Sequence, residues 1–263
     1  MPPLLFIHGA SCSARVWHAG FLQRFSQRGW DCHAIDLPGH GPSHRMSAAA
    51  LDRLGLQDYG DAIAEAVQRL PQPPVLIGHS MGGYLAQRHV LQGGAAAGMI
   101  LLAAAPPQGM ARELLQFVLR HPMLALRLDL SGGRGSRDAR LQRVRGMLLT
   151  SSTPDSVVGV VADMLQPESS RALRELSLNT LPACRLALPV AIHAGSQDAL
   201  ISAAAARQMA HTYGVEAIIH TGMAHMLQWE PGWEAVAAGM LDFLAGAFGT
   251  AQSGAAQEQV GAA

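Results

Sequence analysis

The chain has no lysine: all 19 of its basic residues are arginine. No Schiff base to a lysine can form, which excludes enzymes that hold pyridoxal phosphate covalently. Net charge is lacking too, because 19 acidic residues balance the 19 basic ones. No long-range field then draws the protein to nucleic acid or an anionic membrane, and a small, largely neutral molecule is the partner that fits. Cysteine is scarce. Cys12, Cys32 and Cys184 are odd in number and lack Cys-x-x-Cys spacing, so neither a disulfide framework nor a thiolate metal site is indicated, and reduced thiols in a cytoplasmic protein are the expectation. Long apolar runs are missing: the stretch 95–107 falls short of a membrane span. The histidines lack metal spacing such as His-Glu-x-x-His, and the glycines do not form a dinucleotide fingerprint, so no cofactor is implied.

What is present is enough for one substantial core, since 49% of 263 residues are apolar. Strands and helices alternate, which predicts an α/β fold with a parallel sheet covered on both faces. Helices are expected over 16–28, around Tyr59, Ile63, Val67 and Leu70, over 203–213 and over 233–248. Residues 98–104 read as a buried strand. The tail 249–263 has almost nothing to bury and reads as disordered.

The most informative stretch is Gly78-His79-Ser80-Met81-Gly82. An apolar strand, Pro74-Val75-Leu76-Ile77, runs into it and a helix-compatible run leaves it. Gly-x-Ser-x-Gly between strand and helix makes a sharp turn that exposes a strained serine at the strand's carboxyl end. A serine hydroxyl is a poor nucleophile at neutral pH and needs a base with a group to orient it. Asp198 lies just past the buried strand Pro189-Val190-Ala191-Ile192-His193-Ala194-Gly195 and is the candidate orienter; His225 follows the strand Ala217-Ile218-Ile219-His220 and is the candidate base. The chain order Ser, Asp, His is that of elbow-bearing hydrolases. Leu4-Leu5-Phe6-Ile7 ends in a His8-Gly9 turn, where a backbone N–H can face a developing negative charge. Ala10 and Met81 are the expected donors, with Ser11 as the fallback for Ala10.

These residues, with Trp17 shortly after His8-Gly9 and the run Asp36-Leu37-Pro38-Gly39-His40-Gly41-Pro42-Ser43, resemble the α/β-hydrolase fold family. Only Met1-Pro2-Pro3 precedes the first strand, so the chain is similar to the short branch typified by plant methylesterases, which implies a mostly parallel sheet of about six strands, or else a start codon further upstream. The strand around residues 32–35 would then be a sheet edge. The resemblance implies a serine hydrolase acting on an ester, lactone or thioester through an acyl-serine. Carbon–carbon bond hydrolases and cofactor-free perhydrolases share the triad, and a ligand receptor on this fold is a reading from another class.

The resemblance also implies a core of 1–106 and 189–248 with a helical lid inserted at 107–188, where the strand–helix alternation breaks. Leu115, Met123, Met164 and Met226, with Ser11, are the candidate substrate contacts, plain helix packing being the competing reading for the lid residues. The lid is expected to select the substrate and to supply none of the chemistry. Arg134, Arg137, Arg140, Arg143 and Arg145 read as a solvated face in preference to an anion site. His8 reads as structural, His79 as an elbow residue with no assigned chemistry, and Asp36, which competes with Asp198 for the orienting role, as a turn residue.

Overall fold

The computed structural model describes residues 1–42, 46–125 and 136–249. Ser43, Arg134 and the tail beyond residue 249, all singled out above, lie outside the described residues.

Six strands form one sheet: β1 Leu4–Ile7, β2 Cys32–Ile35, β3 Val75–His79, β4 Gly98–Leu102, β5 Val190–Gly195 and β6 Ala217–His220. Their spatial order is β2-β1-β3-β4-β5-β6 and every pairing is parallel. The strands read as continuous apolar runs because both faces are covered. Alternation sends Leu4, Phe6, Val75, Ile77, Ile100 and Leu102 into one apolar cluster and Leu5, Ile7, Leu76, Met99 and Leu101 into the other. Helices α1 (Ala19–Ser26) and α11 (Trp233–Phe248) supply Phe21, Phe25, Met240 and Leu244 to the first cluster. The second is covered by α3 (Leu56–Gln68), α4 (Met81–Leu91) and α10 (Ala203–Tyr213), through Tyr59, Ile63, Leu85 and Met209. A four-residue helix, α2 (Ala48–Leu51), precedes α3.

The expected helix over 16–28 is interrupted. A single turn at Ala14–Val16 ends at Trp17, whose ψ of 76° is not helical, and α1 restarts after His18, whose Nδ1 accepts the Phe21 N–H. Strand β2 is an edge, four residues long and half-buried, which limits the surface it offers to another strand.

Between β4 and β5 lie α5 (Ala111–Arg120), α6 (Pro122–Ala125), α7 (Arg137–Leu148), α8 (Asp155–Met164) and α9 (Ser170–Leu178). The register aligns Ile7 with Gly78, His79 with Leu102, and Gly195 with His220. The loops that follow β1, β3, β5 and β6 are thereby gathered at one edge of the sheet, the carboxyl end where α/β sheets bind ligands. No described helix is long and apolar enough to cross a membrane.

Candidate active site

Ser80 stands between β3 and α4 with φ 53° and ψ −119°, a left-handed conformation that an L-residue holds only when its surroundings enforce it. The two flanking glycines are part of that enforcement. A Cβ on Gly78 would sit 2.5 Å from the Gly82 carbonyl oxygen, and one on Gly82 would sit 2.3 Å from the Ile7 carbonyl oxygen. The strand, the turn and the helix can pack this closely only without those atoms. The Ser80 amide donates to the Leu102 carbonyl at 3.1 Å, and the Ser80 carbonyl accepts from Gly83 and Ala105, both at 3.0 Å.

Asp198 and His225, distant in sequence, meet in the fold. His225 Nδ1 donates to Asp198 Oδ2 at 2.8 Å, with both side chains buried. Asp198 Oδ1 accepts from the Leu200 and Ile201 amides at 2.8 and 2.9 Å, which fixes the carboxylate. With its proton on Nδ1, the imidazole presents a lone pair at Nε2. Asp36 is engaged elsewhere, as acceptor of the Ala14 N–H at 2.7 Å. No hydrogen bond joins Ser80 to His225 among the described residues, but both line one cavity of about 410 Å³.

His79 has more to do than the sequence suggested. Its Nε2 lies 3.1 Å from the His225 carbonyl oxygen. A carbonyl only accepts, so the His79 proton is on Nε2, and burial, with the neighbouring His225, pushes its pKa down to about 3. The neutral ring thus ties the elbow to the backbone of His225. Glu230 supports the same loop. Its buried carboxylate accepts from the Ala224 amide at 3.2 Å, the Thr150 amide at 2.7 Å and the Thr150 hydroxyl at 2.8 Å.

The Ala10 and Met81 amides make no hydrogen bond within the structure among the described residues. Met81 opens α4, where the N–H groups of a first turn lack partners and favour negative charge. Ser11 has φ 57°, and its amide donates to Glu168 Oε2 at 2.9 Å, so it is not free to act as a substitute for Ala10.

The cavity wall is mainly apolar: Met110, Leu114, Met147, Leu148, Leu165, Leu173, Leu176, Leu200 and Met226, with Ala10, Ser11 and Cys12 from the loop after β1. Of the expected substrate contacts, Ser11 and Met226 line it. Leu115 and Met123 do not, being 60% and 65% exposed; on α5, successive residues turn by about 100° and it is Leu114 that faces inward in place of Leu115. Met164 is buried in the core and also stands off the cavity. Of the arginine row, Arg137 is exposed as a solvated face requires, and Arg143 and Arg145 depart from it. Arg143 is only 8% exposed, and Arg145 donates to the carbonyls of Thr150 and Thr153, closing the turn between α7 and α8.

Parallel sheet, serine elbow and a buried aspartate–histidine pair at the strand ends define a class of protein. The chain belongs to the alpha/beta hydrolase family, whose model matches residues 4–238. It is 34% identical over 106 residues to a pimeloyl-[acyl-carrier protein] methyl ester esterase of Nitrosomonas europaea, a match covering 40% of this chain and 38% of that protein's length. To the enzyme of the same name from Chromobacterium violaceum it is 26% identical over 231 residues, 80% of this chain and 82% of the relative. Among solved structures, a thermophilic esterase from Thermogutta terrifontis superposes with a TM-score of 0.73 at 19% identity, over 94% of this chain and 90% of the other.

Proposed function

We propose that the protein is a serine hydrolase that cleaves small, largely apolar carboxylic esters. The observation that carries this reading is the 2.8 Å Asp198–His225 pair converging with Ser80 on an apolar cavity. Relatives whose names specify methyl ester cleavage support the ester as the bond attacked.

In this reading His225 Nε2 takes the Ser80 proton as Oγ attacks the ester carbonyl, and Asp198 holds the imidazole in the required tautomer. The Ala10 and Met81 amides hold the tetrahedral oxyanion, a contribution for which loss of one donor typically costs about a hundredfold or more in turnover. His225 then protonates the departing alcohol. A water activated by the same imidazole hydrolyses the acyl-serine. Lactones and thioesters present the same carbonyl to the same groups. Residues 107–188 form the lid, with Leu114, Met147 and Leu173 holding the acyl or alkyl chain.

The test is chemical. A fluorophosphonate probe should label the wild type, mass spectrometry should place the adduct on Ser80, and Ser80→Ala should abolish both labelling and hydrolysis of p-nitrophenyl acetate. Labelling that persists in Ser80→Ala, or a folded wild type that neither labels nor turns over esters, would refute the reading.

A further inference from the structure

We infer that Glu168, from the segment joining α8 to α9, is a positioning residue that sets the oxyanion loop. The inference rests on the ester-hydrolase reading of the Ser80 site. The Glu168 side chain is 2% exposed and lies at the cavity wall. Its Oε2 accepts the Ser11 N–H at 2.9 Å, and its Oε1 accepts the Tyr59 hydroxyl at 2.6 Å and the Ser169 N–H at 2.8 Å. Two residues earlier, the Gln166 N–H donates to the Ser11 carbonyl at 2.8 Å, while its side-chain oxygen accepts the Gly41 N–H at 3.0 Å. One short segment therefore grips Ser11 at both its amide and its carbonyl.

The consequence falls on Ala10. The Ser11 N–H shares a peptide plane with the Ala10 carbonyl, so fixing that plane fixes the rotation about Ala10 on which the direction of its own N–H depends. Ser11 needs such a hold, since its φ of 57° is disfavoured for a residue with a side chain. With its amide committed to Glu168, the loop leaves the Ala10 amide to face a substrate oxygen.

A carboxylate beside a developing oxyanion would repel it unless its charge were matched. His40 provides the match. Its Nε2 lies at an ion-pair distance of 3.2 Å from Glu168 Oε2, without the alignment of a hydrogen bond, and its Nδ1 lies 3.1 Å from the Pro38 carbonyl oxygen, so an imidazolium here has a negative charge on one side and an acceptor on the other. Burial works against both charges, yet the adjacent Glu168 carboxylate holds the His40 pKa above its usual value, and the His40, Tyr59 and Ser11 contacts hold the Glu168 pKa below its own. The pair is neutral overall and leaves the oxyanion unopposed.

The discriminating variant is Glu168→Gln, which keeps the size of the side chain but cannot present acceptors to Ser11 on one side and to Tyr59 and Ser169 on the other. On p-nitrophenyl acetate, too short to need the lid's apolar wall, kcat should fall by about tenfold to a hundredfold with KM almost unchanged, as expected when a transition-state contact is misplaced. Affinity for a trifluoromethyl ketone, which becomes an oxyanion on Ser80, should fall by the same factor, while affinity for the corresponding secondary alcohol should hold. Tyr59→Phe, which releases one grip on the carboxylate and spares the Ser11 contact, should move kcat in the same direction by a smaller factor; it serves also if Glu168→Gln does not fold. Folded variants that keep the wild-type kcat and ketone affinity and lose only thermal stability or long-chain preference would overturn the proposal alone. A wild type without esterase activity or probe labelling would overturn the ester-hydrolase reading, and the proposal with it.

Discussion

Asp198 and Asp36 both follow strands, and as sequence neither carries a local motif that makes it the acid. The fold separates them by their partners: Asp198 receives the His225 Nδ1–H, and Asp36 receives the Ala14 N–H. Asp198→Asn should therefore lower kcat by about four orders of magnitude through loss of the correct imidazole tautomer, with the circular dichroism spectrum retained. Asp36→Asn should leave kcat within a few-fold of wild type. The reverse pattern in steady-state kinetics would show that the acid has been misassigned. That Ser80, Asp198 and His225 would be brought to one place was legible in the sequence because each follows an apolar strand, and the carboxyl ends of the strands are where an α/β sheet gathers its loops. Glu168 was not legible. It lies between two helical runs with no motif, and its partners Ser11 and Tyr59 are 157 and 109 positions away, so only the closed fold shows what it touches. The role of His79 was hidden for the same reason, its acceptor being 146 residues along the chain.

Helices α10 and α11 run over the residues that their apolar spacing suggested, because each has one face packed on the sheet and a clear stop in Gly214 or Gly249. The helices between β4 and β5 were harder to read. They pack on one another and on the cavity instead of on a sheet, so which side of a helix turns inward depends on partners that local periodicity does not name. Helix α5 shows the cost: Leu114 meets the cavity, while Leu115 and Leu119 are 60% and 72% exposed. Leu114→Ala should shift the preferred ester toward longer acyl chains, with a change of about 1–3 kcal/mol in discrimination per methylene accommodated. Leu115→Ala should leave the preference as it is. A panel of p-nitrophenyl esters of graded length checks both, and equal shifts from the two variants would contradict the orientation of α5. The insertion also reaches the loops that carry Ser11 and His225. Glu168 holds Ser11, and the Leu148 carbonyl accepts the Met226 N–H at 2.9 Å beside His225.

At the scale of the molecule, the feature with the widest consequence is a set of histidines buried in neutral form. Burial pushes His8 down to about 4, and His79 and His193 down to about 3, from an ordinary value of 6.5. The hydrogen bonds agree with neutrality at His8. Its Nε2 must accept the Leu37 N–H at 3.0 Å, so its proton is on Nδ1, facing the Gly9 carbonyl oxygen at 2.8 Å. His193 stacks on His220 with Nδ1 and Nε2 3.0 Å apart, a contact in which only one ring can donate. The unfolded chain has no such constraint and protonates all three as pH drops below 6.5. In that range the unfolded state binds more protons than the folded state, so stability falls as pH falls, each histidine contributing up to about 1.4 kcal/mol per pH unit until its folded pKa is reached. His40, raised by Glu168, has the opposite sign: its contribution is complete below 6.5 and is lost as pH rises through its folded pKa, so it does not offset the acid-side loss. Between pH 6.5 and 5 most carboxylates are still ionised, which leaves the histidines as the main source of the slope. Urea midpoints measured across that interval should therefore decline steeply at constant m-value. A non-titrating replacement such as His193→Gln should reduce the slope by about one proton's worth, whatever it does to the absolute stability. A wild-type midpoint that stays level from pH 6.5 to 5 would mean that these rings accept protons in the folded state, and that the neutral, hydrogen-bonded frame drawn around Ser80 and His225 is wrong.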